Sequence, residues 1–156
     1  FDAGVEDNLT CSATFTGTGN VYPNGLGAEL LGDTGFDDAN YWSFVGASVV
    51  QNGYGKILFT AGGATSYIQS PISIMTPGDF YLIKYTVSNA ATPDGNFLVF
   101  NRRQQSGDDA QTELPTSVGT HEVLIKPGSN FLQLKNSIST ADTTIWLSSI
   151  SLKKVL

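Results

Sequence analysis

The chain has 156 residues, enough for one domain that buries roughly 70% of the surface its unfolded form exposes. Charged residues make up 14% of it, against about 25% in ordinary soluble domains, and the net charge is −6. Eight Lys and Arg, none before Lys56, make duplex DNA a poor partner and disfavour anionic membranes; the absence of an 18-residue apolar run excludes helical membrane insertion; and a lone Cys11 excludes an internal disulfide or thiolate metal site.

In chain order, the first element is a strand over 9–16. Leu9, Cys11, Ala13 and Phe15 share one face, and Thr10, Ser12, Thr14 and Thr16 the other. Such an apolar edge needs cover, either from the chain's own sandwich or from other copies. Asn8-Leu9-Thr10 fits a glycosylation sequon that only a secreted eukaryotic chain would use. The chain opens on Phe1 with no signal peptide ahead of it, as a processed product or a fragment would. At Tyr22 to Gly27, "YPNGLG" breaks the pattern with Pro and two Gly. Residues 1–27 therefore read as an N-terminal β appendage, an oligomerisation or stalk segment, and 28–156 as the domain proper.

Within the domain no helical stripe appears, and short β-branched or aromatic runs recur between turn residues. They place strands at about 43–50, 56–60, 66–75, 80–88, 96–102, 119–126, 130–136 and 143–154. Turn chemistry at "TPGD" (76–79), "PDGN" (93–96) and "KPGSN" (126–130) joins them as hairpins. In "FYLIKYTVS", Tyr81, Ile83, Tyr85 and Val87 oppose Lys84 and Thr86, while in "HEVLIK" Val123 and Ile125 oppose Glu122 and Lys126. In the last strand Ile145 and Leu147 lie on one face and Ile150 and Leu152 on the other, which a bulge near Ser148 and Ser149 reconciles. The fold class is all-β, an antiparallel β-sandwich.

Chemical motifs are sparse. "GYGKIL" lacks the earlier Gly of a phosphate loop, and "GTGNVY" lacks the third Gly of a dinucleotide fingerprint. "DTGFDD" and "GDD" miss the calcium-loop spacing and read as solvated turns. His121 is the sole histidine and no G-x-S-x-G elbow accompanies it, so it reads as a packing or surface residue and the chain as a non-enzyme. A carboxylate pair for glycoside hydrolysis has no fixed spacing to search for. The most informative polar stretch is "NFLVFNRRQQSGDDAQTE". Arg102, Arg103, Gln104 and Gln105 there supply the planar donors that pair with sugar hydroxyls, and Tyr54, Tyr67, Phe97 or Trp146 the platform for a sugar ring. The competing reading pairs Arg102 and Arg103 with Asp108, Asp109 or Glu113 across a surface loop.

From Glu29 onward, "ELLGDTGFDDANYWSFVGASVV", "GKILFTAGGATSYIQSPISIMTPGDFYLIKYTVS", "GTHEVLIKPGSNFLQLK" and "IWLSSISLKKV" resemble in order the carbohydrate-binding-module-like jelly rolls of glycan-active enzymes and of bacteriophage tail and fibre proteins. The resemblance covers about 125 residues. It implies a jelly-roll sandwich with Trp42 in the core beneath the sandwich edge. Members often carry an Asp in the closing strand that helps hold a structural calcium. Here Ser148 and Ser149 stand there, so calcium is disfavoured and no cofactor or metal is expected. "DNLTCSATFTGTGNV" looks like phage fibre stalks, in which strands of three chains wrap a common apolar axis. The expectation is a non-enzymatic virion subunit at a fibre tip or on the virion surface, trimeric through Leu9, Cys11, Ala13 and Phe15. It would contact other virion proteins and bind a host-surface polysaccharide. The alternative is a carbohydrate-binding module of a bacterial glycan-active enzyme, secreted or at the cell surface, and a third reading is a purely structural capsid or fibre protein.

Overall fold

The computed structural model describes residues 22, 24–46, 48–59, 66–91, 98–100, 112–136 and 143–156. Among these residues there are strands and no helix: β1 (Leu26–Glu29), β2 (Ser43–Val45), β3 (Val49–Gln51), β4 (Tyr54–Phe59), β5 (Tyr67–Gln69), β6 (Tyr81–Ala91), β7 (Leu98–Phe100), β8 (Thr112–Leu114), β9 (Gly119–Ile125), β10 (Gln133–Asn136) and β11 (Thr143–Val155). They form two antiparallel sheets. One runs β3-β4-β11-β6-β9, with β1 also on β11; the other runs β2-β5-β10-β7-β8. The chain is an all-β antiparallel sandwich.

The alternation legible in the sequence decides which side chains meet between the sheets. Tyr81, Ile83, Tyr85 and Val87 of β6, Ile57 of β4, and Ile145, Leu147, Ile150 and Leu152 of β11 are buried from one sheet; Ile68, Leu134 and Leu114 are buried from the other. Removing each such side chain from water contributes roughly 1.5–3 kcal/mol before entropy is counted. The sheets approach closely at Gly55, where a methyl group would lie 2.7 Å from Phe36 Cε1 and 3.0 Å from Ile68 Cδ1. The bulge expected near Ser148 and Ser149 is present: the β11–β6 register shifts between Trp146 and Leu147 and again between Leu147 and Ser149. It keeps both Ile145/Leu147 and Ile150/Leu152 on the core side.

The run 43–50 reads as one strand but forms two, in different sheets. Gly46, at φ +73°, lies between β2 and β3, and that left-handed conformation breaks an extended run. The run 66–75 is a strand only over Tyr67–Gln69, because Pro71 follows and Ser73 stands at φ +69°. β1 and β8, too short for a periodic signal, were not legible, and β1 spans the 27/28 division between appendage and domain.

The segment "DTGFDDANYW" sets Phe36 and Trp42 into the core. Asp33, 7% exposed, accepts hydrogen bonds at Oδ1 from the backbone N–H groups of Gly35 (3.2 Å) and Asp37 (3.1 Å). Its Oδ2 accepts from Asp38 N–H (3.1 Å) and from the indole Nε1–H of Trp42 (3.0 Å). The segment is thus wound around one carboxylate rather than being only a solvated turn. Trp42 is 3% exposed and stacks on buried Phe36 at 5.2 Å between centroids, as expected of a core residue. Glu29 joins the first strand to the last. Its Oε1 accepts from the N–H groups of Leu30, Leu31 and Leu152, and its Oε2 from the Ser151 hydroxyl.

Asp33→Ala strands four donors and is expected to lower stability by about 3 kcal/mol in urea unfolding, whereas Asp37→Ala, on the exposed side of the same turn, shifts it by less than about 0.5 kcal/mol. A second expectation concerns Tyr85, whose hydroxyl donates to the Pro115 carbonyl at 2.7 Å. Burial pushes its phenol above the ordinary tyrosine value. The folded state therefore holds this proton after the unfolded chain has released it, and the associated stability, full below pH about 10, falls as pH rises further. The fall in urea midpoint above pH 10 should be shallower in Tyr85→Phe than in the wild type.

Candidate functional site

Each sheet turns one face to the core and the other outward, and the strand pleat assigns residues to them. On the five-stranded sheet Ile68 and Leu134 face in, so the pleat puts Tyr67 and Gln69 of β5 and Gln133 and Lys135 of β10 on the other side, where Gln133 is itself buried at 7% exposure. The register sets Tyr67 opposite Lys135 and Gln69 opposite Gln133, with Ser43 opposite Gln69 and Val45 opposite Tyr67 on β2. Gln133 Nε2 donates to Gln69 Oε1 at 2.9 Å. That bond fixes the two amides side by side, in line with a half-buried tyrosine and one strand from an ammonium group. Amide, phenol and ammonium groups on a rigid sheet suit a ligand that offers many hydroxyls in a fixed pattern.

On the six-stranded sheet Gly55, Ile57, Ile145 and Leu147 face in, which sends Tyr54, Lys56 and Trp146 out. Tyr54 is 39% exposed and meets half-buried Trp146 edge-on, at 6.0 Å between centroids and 87° between planes. Lys56 lies directly opposite Trp146 in the β4–β11 register, with its Nζ 5.3 Å from the centre of that ring.

The residues expected to form one sugar site are thus divided. Tyr54 and Trp146 are together, and Tyr67 lies on the opposite side of the sandwich. Phe97, Arg102, Arg103, Gln104 and Gln105 lie outside the described residues, as do Leu9, Cys11, Ala13 and Phe15. The chain enters 101–105 from β7, which pairs with β10 in the sheet that bears Tyr67, not in the sheet of Tyr54 and Trp146. Gln69, Gln133 and Lys135 were missed in the sequence; the only available signal was the polar-apolar-polar pattern of "YIQ" and "QLK" around Ile68 and Leu134. His121 stacks on Tyr85 at 5.3 Å, and its Nε2 is 2.7 Å from the Ser117 carbonyl, a packing role. Among the described residues no group of three or more His, Cys, Asp or Glu could hold a metal ion.

The chain matches no protein-family model and no curated relative. Solved structures do resemble it. One, described as CBM4, a carbohydrate-binding module, aligns over 76% of this chain and 97% of its own, with a TM-score of 0.52 and 16% identity. Another is the second N-terminal cellulose-binding domain of β-1,4-glucanase C from Cellulomonas fimi, which aligns over 83% of this chain and 96% of its own, with a TM-score of 0.52 and 19% identity. The chain therefore has the β-sandwich fold of carbohydrate-binding modules.

Edge-to-face aromatic pairs carry about 1 kcal/mol beyond their burial. A double-mutant cycle with Tyr54→Ala and Trp146→Ala, followed by urea unfolding, should return a coupling of about that size, while Tyr54→Ala with Tyr67→Ala should return none, since the two lie on opposite sheets.

Proposed function

We propose that this chain is a non-catalytic glycan-binding module that takes a polysaccharide across the outward face of the five-stranded sheet, with Tyr67 as the platform and Gln69, held in place by the buried Gln133, as the hydroxyl-reading amide. The observation that carries the reading is the Gln133–Gln69 amide bond beside Tyr67. An amide locked by its neighbour has already lost the rotamer freedom that sugar binding would otherwise cost. The Gln69 Nε2 takes no part in that bond, so it is placed to donate to a hydroxyl. The fold supports the same reading, since one solved structure that shares it is a cellulose-binding domain. A β-1,4-glucan is therefore the first ligand to test, and a secreted or cell-surface setting suits such a module.

Catalysis and metal are left out of the reading. Glu29, the carboxylate that reaches the closing strand, already accepts from four protein donors, and Ser148 and Ser149 offer that strand hydroxyls where a hard cation favours carboxylates. A second reading, the virion fibre or decoration subunit, is favoured by the Leu9, Cys11, Ala13, Phe15 alternation. There the module would be displayed as a trimer whose tethered sites bind at high effective concentration. Light scattering separates the two, since a concentration-independent monomer rules out the fibre.

Affinity electrophoresis against a soluble β-1,4-glucan, with a β-mannan alongside, tests the glycan reading. Retardation of the wild type, weakened at least tenfold in Tyr67→Ala and in Gln69→Ala while both variants keep a cooperative unfolding transition, supports it. The absence of retardation by any neutral polysaccharide would overturn it.

A further inference from the structure

We infer that the outward face of the six-stranded sheet holds a second saccharide site, formed by Tyr54, Trp146, Lys56 and Asn89, that takes a sugar carrying a carboxylate. It shares with the proposed function only the class of ligand and stands on its own geometry. Three adjacent strands contribute. Trp146 of β11 is opposite Lys56 on β4 and opposite Asn89 on β6, so an aromatic ring is flanked by an ammonium on one side and an exposed amide on the other. Tyr54 stands at 87° to the indole, and the two rings make a corner rather than a flat shelf. A pyranose set into that corner places its C–H face on one ring and an edge against the other.

The charge selects the ligand. The strands of this sheet carry four lysines: Lys56, Lys84, Lys153 and Lys154. Lys84 is paired with Glu122 at 2.8 Å and Lys154 with Asp79 at 2.6 Å, and Lys153 lies at the far end of β11 from Trp146. Lys56 has no carboxylate within 4.0 Å among the described residues; its contact is the Trp146 ring. In a chain of net charge −6, an ammonium with no carboxylate partner among the described residues, held against a partly exposed aromatic corner, is complementary to an anionic sugar. A neutral glycan would leave that charge unused. A uronate places its carboxylate on the Lys56 Nζ while its ring stacks, gaining a charge-assisted hydrogen bond in addition to the aromatic contact.

The test is isothermal titration of the full chain with trigalacturonate and, separately, with a neutral β-1,4-glucan oligosaccharide. Trigalacturonate is expected to bind, more weakly as salt is raised. Lys56→Gln and Tyr54→Ala should each weaken it about tenfold, while neutral-glucan binding by the same folded variants is unchanged. Tyr67→Ala should leave trigalacturonate binding intact. Failure of trigalacturonate to bind, binding that survives both Lys56→Gln and Tyr54→Ala, or its loss in Tyr67→Ala would each overturn the second site. Neutral binding without uronate binding would sink this site and leave the proposed function standing; uronate binding alone would do the reverse.

Discussion

The pairing of β6 with β11 is the constraint on which the rest of the molecule depends. It runs from Thr144 opposite Ala91 to Lys154 opposite Tyr81, and every other strand of that sheet except β3 is hydrogen-bonded to one of these two. β4 takes the first half of β11, from Thr143 to Leu147, and β1 the last few residues, so one long strand is flanked on the same side by two short ones. The bulge around Leu147 makes that length usable. A strict two-residue period through β11 would put Ile145 and Leu147 in the core and turn Ile150 and Leu152 to water. The extra residue restores the phase, and all four are buried. The same phase fixes Trp146 outward, next to Lys56 and Asn89.

Two carboxylates add side-chain hydrogen bonds to those of the ladder. Asp33 gathers three backbone N–H groups and an indole N–H, which winds "DTGFDDANYW" around it and seats Phe36 and Trp42 together. Phe36 holds φ +58°, a conformation that costs a non-glycine residue energy and persists because its ring is buried against Trp42 and beneath Gly55. Glu29 couples β1 to the closing strand in the same way. Asp33 and Glu29 therefore have their hydrogen-bonding capacity spent on the fold.

What was legible in the sequence follows from how local the signal is. β6, β9 and β11 alternate cleanly over seven or more residues, and even the phase change of β11 shows as a conflict between two apolar pairs. The separation of β2 from β3 does not show, since a single Gly46 at positive φ is the only mark of a strand leaving one sheet for the other. β1 and β8 are too short to carry a period and owe their existence to the strands they pair with. The candidate site was harder still. Aromatic residues suited to a sugar platform could be named one by one, but which of them share a face depends on register between distant strands. Gln69 and Gln133, 64 positions apart, meet only because β5 and β10 pair.

That dependence explains why a sandwich of this kind lends itself to saccharide binding. A sheet that has satisfied its backbone donors and acceptors in the ladder, and its inward side chains in the core, holds its outward side chains in fixed rows about 4.8 Å apart across the strands. Hydroxyl positions along a sugar chain are likewise rigid and repeating, so recognition needs rows and not a pocket. Each sheet presents one such row: Tyr67, Gln69 and Lys135 on the five-stranded sheet, and Tyr54, Lys56 and Trp146 on the six-stranded one. The packing that joins the sheets through Gly55, Phe36 and Ile68 keeps the two rows on opposite sides of the sandwich.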